Sequence, residues 1–493
     1  MSLFHSPSST IASKPSSSTI YSTTCSMGID LASVPIASTT RRAPSTVDDE
    51  IDSEMDDFST QFSSSSIDTQ IETPVETSTS QPSDSTTQPA AAPAAAPVRR
   101  RRRKPKKSFI NKNAIPDSIL TDPAIQSAIS TLPPSYNFEI PKTIHRLRCH
   151  SPPPSTVSLQ MPEGLLMYSC LISDILTRFT SATSVIILGD VTYGACCVDD
   201  LGAKAIESDY LIHYGHSCLV PLTETVLPTL YVFVEITTDV RHLTSCFLSS
   251  FTGSHVHIMG TVQFRTAIIE SHTILQNSYT ATIPQAKPLS PGEVLGCTSP
   301  KNLYSDNLPS SSQCMLFIAD GRFHLEAAMI ANPKLKAYRY DPYSKILTVE
   351  GYAFEKMKGL RVEAIRKARK AKVFGVILGT LGRQGNPRIL RRVKNLLNEN
   401  GKESFIVLLS EIMPQKLEMM PQADAWVQIA CPRLSVDWGH FFKKPVLSTY
   451  ELYVLLGEAE MKEGEYPMDF YSKGDDNYWG NFGADNDKRR YND

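Results

Sequence analysis

The stretch VFGVILGTLGRQGNPRILRRVKNLLNENGKESFIVLLSE, residues 373–411, determines the fold class of this chain. An apolar run from Val373 is followed by a glycine-rich turn, an amphipathic segment bracketed by Pro387 and Gly401, and a second apolar run. Proline is favoured in the first turn of a helix and glycine just beyond its end, so the order predicted is strand, helix, strand. This order is typical of parallel sheets, in which ligands gather beyond the carboxyl ends of the strands.

The same alternation recurs on both sides of this stretch. In the first block, TVSLQMPEGLLMYSCLISDILTRF predicts a strand, a turn and a helix, and SVIILGD and YLIHYG predict further strands. The second block opens with LYVFVEI and continues with HVHIMG, CMLFIADG, the helix FHLEAAMIA and the strand KAYRYD. The third opens with the basic helix RVEAIRKARKAK and ends with DAWVQIACP. The predicted fold is α/β, with three consecutive related domains and mostly parallel sheets.

Changes in composition set the predicted domain boundaries. The first hundred or so residues are rich in Ser, Thr, Pro and Ala and have no sustained apolar period, so they cannot bury enough surface to fold. The predicted divisions are a disordered tail at 1–109, α/β domains at 110–228 with Cys196, 229–350 with Cys297 and 351–460 with Cys431, and a flexible tail at 461–493.

The charge distribution limits the classes of partner. The net charge is −2, so any attraction to a polyanion must be local. The local candidate is the run Arg99–Lys107, which carries eight cationic side chains. It is either a nuclear signal or nucleic-acid tether, or a solvated hinge at the edge of a disordered tail. No aromatic side chains are interleaved with it, which favours the hinge and argues against nucleic-acid binding.

Cysteine content and hydropathy indicate the compartment. Ten cysteines in 493 residues are too few for a disulfide scaffold, which favours a reducing environment. The N-terminus has no apolar signal region, and the apolar runs are shorter than the roughly 18 residues that a membrane span needs. We therefore expect a soluble, cytoplasmic protein without membrane association.

Three of the cysteines share a local context. Cys196, Cys297 and Cys431 close the runs IILGDVTYGAC, GEVLGC and WVQIACP, each beside a glycine or an alanine. This context suggests three strand ends that deliver three thiols to one point. Adjacent side chains alternate in extended backbone, so Cys197 is expected to face away. No CxxC pair is present, which argues against zinc ribbons and ferredoxin-type clusters.

Three thiolates on a four-iron cluster would leave one iron open to a substrate. The alternative is three unrelated cysteines that each pack as a small apolar residue in the core.

The sequences around these cysteines resemble one enzyme family. Between about Ile110 and Leu456 the chain is similar, in order, to the first subunit of the eukaryotic 2-(3-amino-3-carboxypropyl)histidine synthase, in a fungal-like form. The matching strings are MPEGLLMYSCLISDIL, GDVTYGACCVDDLGA, HYGHSCLVP, LSPGEVLGCTSP, DGRFHLEAAMIANP, YRYDPYSK, GTLGRQGNP and VQIACPRLSVDWG. This family performs the first step of diphthamide biosynthesis. The resemblance does not include the N-terminal tail.

The resemblance implies a reaction and its cofactors. Members of the family use a four-iron four-sulfur cluster and S-adenosylmethionine (SAM), without the CxxxCxxC motif of ordinary radical SAM enzymes, which this chain also lacks. Its three cluster ligands map onto Cys196, Cys297 and Cys431. The reduced cluster would cleave SAM to a 3-amino-3-carboxypropyl radical, which is added to a histidine of translation elongation factor 2.

Other residues receive candidate roles in binding SAM. Arg383, Gln384 and Gly385, in the turn GTLGRQG, would offer backbone amides and a guanidinium fork to the SAM carboxylate, although an ordinary strand-to-helix turn is the alternative. Arg322 and His324 lie at a similar junction and either line the same pocket or serve in capping and packing.

Two further groups of residues are candidates for a role at the same site. Glu163 and Gly164 lie at a comparable junction in the first block. The string HYGHSC, with His213, His216 and Cys218, looks like a metal cluster. Its members would have to displace the matched cysteines, so a supporting or structural role is favoured over ligation.

The resemblance also implies partners and one alternative role. The eukaryotic synthase resembles a heterodimer of related chains, in which the second subunit mainly supports reduction and assembly of the cluster. This chain could be that non-catalytic subunit, but all three matched cysteines are present, which favours the catalytic one. The implied partners are the paralogous subunit, the elongation factor and a small metal-binding electron donor.

Overall fold

The computed structural model describes residues 114–189, 194–474 and 477–482, all within one compact unit. The predicted disordered tail at 1–109, with its basic run, lies outside the described residues.

The first block contains a four-stranded, all-parallel sheet in the order β3-β2-β4-β5. Helices join most of its strands, as expected for parallel crossovers. The elements are α1 (Asp117–Leu120), α2 (Pro123–Ile129), β1 (Tyr136–Asn137), α3 (Ile140–Cys149), β2 (Thr156–Gln160), α4 (Glu163–Leu166), α5 (Ser169–Phe179), β3 (Ser184–Leu188), α6 (Asp200–Ala205), β4 (Tyr210–Tyr214) and β5 (Thr229–Val232).

The second block contains a five-stranded sheet in the order β11-β10-β9-β7-β8, parallel except for the antiparallel edge strand β11. Its elements are β6 (Glu235–Ile236), α7 (Val240–Ser250), β7 (His255–Gly260), α8 (Arg265–Leu275), β8 (Thr280–Thr282), β9 (Gln313–Ile318), α9 (Phe323–Ala331), β10 (Lys336–Asp341) and β11 (Ile346–Glu350). Strand β6 pairs with β1 outside the main sheets.

The third block contains a four-stranded, all-parallel sheet in the order β13-β12-β14-β15. Its elements are α10 (Phe354–Ala368), β12 (Val373–Gly379), α11 (Pro387–Glu399), β13 (Glu403–Leu409), α12 (Pro414–Glu418), β14 (Ala425–Ile429), α13 (Pro432–Trp438), β15 (Val446–Leu447) and α14 (Thr449–Leu456).

The three sheets share one strand order. If the parallel strands of each block are numbered by position in the chain, every sheet runs second, first, third, fourth, and the middle block adds β11 at one edge. The first and third blocks also share a detail at the start of the first strand. Asp209 accepts backbone N–H groups of Ser155 and Thr156, and Asp424 accepts those of Lys372 and Val373. The prediction of three related α/β blocks with mostly parallel sheets is confirmed.

The start of the second block was predicted wrongly. The run LYVFVEI, placed at the head of that block, contributes β5 to the first sheet, where Leu230 lies opposite Ile212 of β4. The run supplies the fourth parallel strand, which the first block needs to cover β4 on its outer side. The remaining assignment of the sheets to separate domains stays a prediction.

The predicted flexible tail at 461–493 is also wrong for the part that the structure describes. Tyr466, Met468, Phe470 and Tyr471 are all buried, and they pack into the cores of the second and third blocks. Their apolar surface outweighs the surrounding glycine and acidic residues, whose abundance suggested disorder.

Among the described helices, none is both long enough and apolar enough to cross a membrane.

Candidate functional site

Cys196 lies in a short 3-10 turn, Ala195–Cys197, between β3 and α6. The turn GTLGRQG, which follows β12, packs directly against it. Gly382 has a φ of +53°, and a Cβ there would lie 2.5 Å from the carbonyl carbon of Cys197, so both conformation and space require glycine. The backbone N–H of Arg383 donates to the Cys196 carbonyl at 2.9 Å. The glycine-rich turn therefore holds the first cysteine in place.

Cys297 lies in the long connection between β8 and β9, and not at the end of a sheet strand as predicted. A local antiparallel bridge between Leu295 and Thr298 folds the chain around it. A Cβ on Gly296 would lie 2.1 Å from the ring of Phe323, so the loop approaches α9 more closely than any other residue would allow. Cys297 itself is 9% exposed.

Cys431 lies two residues beyond the last residue of β14 and is the N-cap residue of α13, so the prediction of a strand end is confirmed here. Burial raises the pKa of its thiol, while the backbone N–H and the positive charge of Arg433 oppose that rise. A cysteine at a helix N-terminus beside an arginine is in a suitable environment for a thiolate ligand.

The structure brings the three predicted thiols together. The pKa of Cys196 lies well above its usual value, because the thiol interacts with that of Cys197 and is buried. The negative charges that Cys297 and Cys431 carry when ionised raise the pKa of Cys196 further. Burial and the neighbouring Cys431 raise the pKa of Cys297 to about 12. Three cysteines from three blocks are therefore close enough to influence one another electrostatically.

Cys197 is nearer to this group than predicted. It was expected to face away, because side chains alternate in extended backbone, but the backbone is a 3-10 turn and the alternation does not hold. Its thiol contributes to the raised pKa of Cys196 and accepts a hydrogen bond from Gln384 Nε2 at 3.3 Å. Gln160 Nε2 donates to its carbonyl at 2.8 Å. Cys197 is thus a second candidate ligand at the same turn.

The three predicted residues of the GTLGRQG turn have different surroundings. The guanidinium of Arg383 already forms a bidentate ion pair with the fully buried Asp200, at 2.7 and 2.6 Å. The predicted fork for a carboxylate is therefore occupied from within the protein. The side chain of Gln384 reaches Cys197, whereas Gly385 packs its backbone against the Gly379 carbonyl.

Arg322 and His324 separate in the structure. Arg322 is half exposed and forms ion pairs with Glu326 and Glu350, so it stabilises the start of α9 and the end of β11. His324 points inward, where burial and the charges of His216 and Arg433 lower its pKa to about 4. His324 is therefore neutral at physiological pH. It lies close to Arg433, two residues after Cys431.

Arg433 is a residue of this site to which the sequence analysis gave no role. Its side chain is 3% exposed, and its Nη1 donates to the carbonyls of Gly296 at 3.2 Å and Phe323 at 2.8 Å. Glu326 and Asp437 neutralise its charge. Arg433 thus ties the helix after Cys431 to the loop before Cys297. The sequence feature that could have indicated Arg433 is its position, two residues after the candidate ligand Cys431.

Tyr471 is a second residue that the sequence analysis missed. It is 4% exposed and packs in the same apolar cluster as Cys297, and Cys196 packs against that cluster. Burial, together with the thiols of Cys196, Cys297 and Cys431, holds its pKa well above the usual value. The sequence feature that could have indicated a buried segment here is the alternation of the apolar residues Tyr466, Met468 and Phe470 within an otherwise polar stretch.

The remaining candidates differ in burial and in their contacts. His213 is fully buried, with Nδ1 hydrogen-bonded to Gln160 Oε1 at 2.8 Å, and burial holds its pKa well below the usual value. Cys218 is exposed, and so are Glu163 and Gly164 in α4. Ser217, in the string HYGHSC, donates a hydrogen bond to the carboxylate of Glu293, which lies in the segment before Cys297.

Two cavities are lined by residues of the candidate site. One, of about 500 Å³, opens beyond the carboxyl ends of the β3, β12, β13 and β14 strands and includes Gln384 and Cys431 in its lining. The other, of about 940 Å³, is lined by Arg383, Gly385 and Tyr471 among others. The first cavity reaches a candidate ligand at the sheet edge where α/β proteins bind their substrates.

Among the described residues, no group of three or more His, Cys, Asp or Glu side chains is placed to hold a single metal ion. Cysteine thiolates are the usual ligands of iron–sulfur clusters, so the chemistry of the three thiols fits such a cluster. Cys196, Cys297 and Cys431 would hold it, within an otherwise apolar shell that includes Ala195, Leu219 and Leu289.

Comparisons with known proteins agree with this geometry. Residues 161–467 match the family model described as "Putative diphthamide synthesis protein". The chain is 50% identical over 360 residues to 2-(3-amino-3-carboxypropyl)histidine synthase subunit 1 of Gallus gallus, covering 73% of this chain and 86% of the relative. The corresponding protein of Aspergillus fumigatus is 48% identical over 375 residues, with coverage of 75% and 83%.

A solved structure is also similar. The crystal structure of Dph2 from Pyrococcus horikoshii with a 4Fe-4S cluster aligns with a TM-score of 0.56 at 27% identity, covering 69% of this chain and 95% of that one. Fold, thiol geometry and sequence similarity point the same way: this chain belongs to the diphthamide synthesis protein family, among the relatives named 2-(3-amino-3-carboxypropyl)histidine synthase subunit 1.

Proposed function

We propose that this chain is the catalytic subunit that transfers the 3-amino-3-carboxypropyl group of SAM to a histidine of translation elongation factor 2. The observation that carries the proposal is the convergence of Cys196, Cys297 and Cys431 from three separate blocks. The 4Fe-4S cluster of the similar Dph2 structure supports a cluster of the same kind in this chain. When bound, the reduced cluster would supply the electron that cleaves SAM.

The residues of the chain hold and enclose the reacting groups. The GTLGRQG turn fixes the Cys196 turn through Gly382 and Arg383, and Arg433 fixes the distance between the Cys297 loop and α13. Two of the three ligands are thus positioned by contacts between different blocks, which favours a rigid site.

SAM would bind in the cavity of about 500 Å³ that Cys431 and Gln384 line. A molecule there lies beyond the carboxyl ends of parallel strands and beside one ligand of the proposed cluster. Arg383 is paired with Asp200, so its contribution would be to hold the turn, while Gln384 is the residue of that turn that faces the cavity. Arg322 and His324 lie on the α9 side, and their role in binding SAM remains a proposal.

The partners follow from the same proposal. The relatives are named as a first subunit, which supports a second, paralogous subunit as the partner in a heterodimer. The elongation factor is the protein substrate, and a small metal-binding protein would donate electrons. A non-catalytic role, in which this chain only supports reduction and assembly of the cluster, is the alternative.

The test is transfer of labelled 3-amino-3-carboxypropyl from SAM to the elongation factor under anaerobic conditions, with the full chain, its partner subunit and a chemical reductant. We expect Cys196→Ala, Cys297→Ala and Cys431→Ala each to abolish transfer. Cys314→Ala is the matched control, because this cysteine is fully buried in β9 and packs in a different apolar cluster. Transfer that survives in all three variants would leave only the non-catalytic role.

A further inference from the structure

The turn that carries Cys196 also carries Cys197, and the backbone of Cys197 is held at three points. Its N–H donates to the Gly194 carbonyl at 2.9 Å, and the carbonyl before it, that of Cys196, accepts the N–H of Arg383 at 2.9 Å. Its own carbonyl accepts a hydrogen bond from Gln160 Nε2 at 2.8 Å. Because the planar peptide groups on both sides are held, the direction of the Cys197 side chain is fixed.

Gln160, the last residue of β2, binds the turn with both ends of its amide and is 4% exposed. Its Oε1 accepts the backbone N–H of Asp199 at 3.1 Å and lies 2.8 Å from Nδ1 of His213. A backbone N–H only donates and a carbonyl only accepts, so the contacts with Asp199 and Cys197 determine the orientation of the amide. His213 must then donate from Nδ1, and this bond fixes the amide further.

The third block repeats this arrangement at Cys431. Gln428, in β14, is 2% exposed, and its Nε2 donates to the Cys431 carbonyl at 2.9 Å. Its Oε1 accepts the N–H of Ala430 at 2.9 Å. In both blocks, a buried glutamine near the end of a parallel strand binds a cysteine carbonyl with one end of its amide and a nearby backbone N–H with the other. This recurrence favours a role in holding the cysteines over incidental packing.

The two adjacent thiols have different surroundings. Cys196 is half-buried and packs against the apolar cluster that contains Cys297. Cys197 is 2% exposed, and its sulfur accepts a hydrogen bond from Gln384 Nε2 at 3.3 Å. A Cβ on Gly382 would overlap the backbone of Cys197, so the peptide cannot shift toward the GTLGRQG turn. Both the backbone and the sulfur of Cys197 are therefore held against that turn.

We propose that Gln160 and Gln428 are positioning residues that hold two cysteine turns, and that the bond from Gln160 to Cys197 selects Cys196 as the cluster ligand of the first block. This inference rests on the proposed function. Each iron of a four-iron cluster takes one cysteine thiolate, so adjacent cysteines compete for the same iron. A peptide that cannot rotate keeps Cys197 out of this competition, whereas a released peptide would allow either thiol to turn toward the cluster.

The test variant is Gln160→Met, which removes both ends of the amide at a similar side-chain length. The matched control is Gln313→Met. Gln313 is 1% exposed, and its amide binds the backbone at both ends of the loop 305–308 in the second block. The control therefore loses the same kind of buried contact with a loop that carries no candidate ligand.

Labelling of the cluster-free chain with iodoacetamide, read by tandem mass spectrometry, reports the two adjacent thiols separately. In the wild type and in Gln313→Met we expect Cys196 to react and Cys197 to be protected. In Gln160→Met the labelling rate of Cys197 should rise severalfold, while the fully buried Cys314 stays protected. An unchanged rate at Cys197, or a rate that rises only together with that of Cys314 through general unfolding, would overturn the inference.

Iron content measures the choice of ligand directly. Cys196→Ala should lose its iron. Cys196→Ala combined with Gln160→Met should regain part of it, with an electron paramagnetic resonance spectrum of the reduced cluster that differs from the wild type, because Cys197 can then replace the lost ligand. Cys196→Ala combined with Gln313→Met is the control. Recovery no greater than in that control would overturn the selection of Cys196 by Gln160.

Gln428→Met tests the third block, where no second cysteine lies beside Cys431. It should lower the iron content, because no neighbouring thiol can take over, and wild-type iron content would overturn the role of Gln428. Failure of the wild-type chain to bind iron would instead overturn the proposed function. The labelling experiment needs no cluster, so it distinguishes that failure from a failure of the present inference.

Discussion

Arg433 shows how a single buried charge can hold two parts of the site. Its guanidinium donates to the carbonyls of Gly296 and Phe323 and is neutralised by Glu326 and Asp437. Removal of one partner from a buried ion pair leaves the other charge uncompensated, which costs about 3 kcal/mol or more. We therefore predict that Arg433→Met lowers the free energy of unfolding by about 3 kcal/mol, measured in urea with the cluster-free protein.

The matched control for Arg433 is Arg322→Met. Arg322 pairs with the same Glu326, but its side chain is 51% exposed, so water already screens the interaction. We expect a loss below about 1 kcal/mol. Equal losses in the free energy of unfolding for the two variants would show that burial does not make the ion pairs of Arg433 more important than those of Arg322.

At the residue scale, the sequence predicted three cysteines that lie near one another, but it predicted less well which residues surround them. Cys196, Cys297 and Cys431 stand out because each has a small residue beside it and an apolar run before it. Their assignment as ligands remains a prediction, while their proximity is a property of the structure. The ion pair between Arg383 and Asp200 could not be predicted, because 183 positions separate these residues and neither has a distinctive local pattern.

The starts of the first strands predict how stability depends on pH. Asp424 accepts the N–H groups of Lys372 and Val373 at the start of β12, and these bonds lower its pKa, with smaller effects from Lys444 and Lys372. A carboxylate with a lowered pKa stabilises the fold fully above its unfolded pKa of about 3.9. That contribution is lost as the pH falls through the folded pKa.

We therefore predict that Asp424→Asn lowers the melting temperature at pH 7, and that its difference from the wild type shrinks as the pH falls below about 4. Asp209→Asn should behave in the same way, because Asp209 makes the corresponding bonds at β2 and its pKa is lowered for the same reason. The control is Asp306→Asn, whose carboxylate is 83% exposed. A difference that stays constant from pH 7 to pH 3 would contradict the prediction.

At the element scale, a helix could be predicted correctly where sequence patterns for its start and its end occur together. Helix α11 begins at Pro387 and ends two residues before Gly401, which has a positive φ as expected for a helix end. Strand β5 was assigned to the wrong block, because its apolar run indicates a strand but not the sheet it joins. Sheet membership depends on long-range pairing, which one sequence does not display.

At the scale of the whole molecule, the C-terminal strap, residues 461–474 and 477–482, belongs to the core. The strap buries Tyr466, Met468 and Phe470, so truncation after residue 460 would expose core surface of two blocks and remove Tyr471. We predict that this truncation lowers the melting temperature markedly and abolishes transfer. Removal of residues 1–109 should leave both unchanged, because the match to the family model begins at residue 161.

Melting curves and the transfer assay, run in parallel on the two truncated chains, check this prediction. A stable and active chain without the strap would show that the strap is dispensable. Loss of transfer on removal of residues 1–109 would show that the N-terminal region contributes to activity, and the assignment of the enzyme to the residues after 109 would then be wrong.

The candidate site draws on all three α/β blocks. Each block supplies one cysteine, and the contacts that position these cysteines run between blocks, from Arg383 to Cys196 and from Arg433 to Gly296. The sequence predicted the three α/β blocks because alternating strands and helices have a clear periodicity. It could not predict the strap, whose role depends on contacts with residues more than 150 positions away.

The most direct test of the central claim is a count of iron and sulfide in the anaerobically purified full chain, with and without its partner subunit. The variants are Cys196→Ala, Cys297→Ala and Cys431→Ala, with Cys197→Ala as the competing ligand at the same turn and Cys314→Ala as the buried control. We predict about four irons and four sulfides per chain in the wild type and both comparison variants, and a large loss in each of the first three. Full iron content in any of those three, or zinc in place of iron in the wild type, would contradict the account.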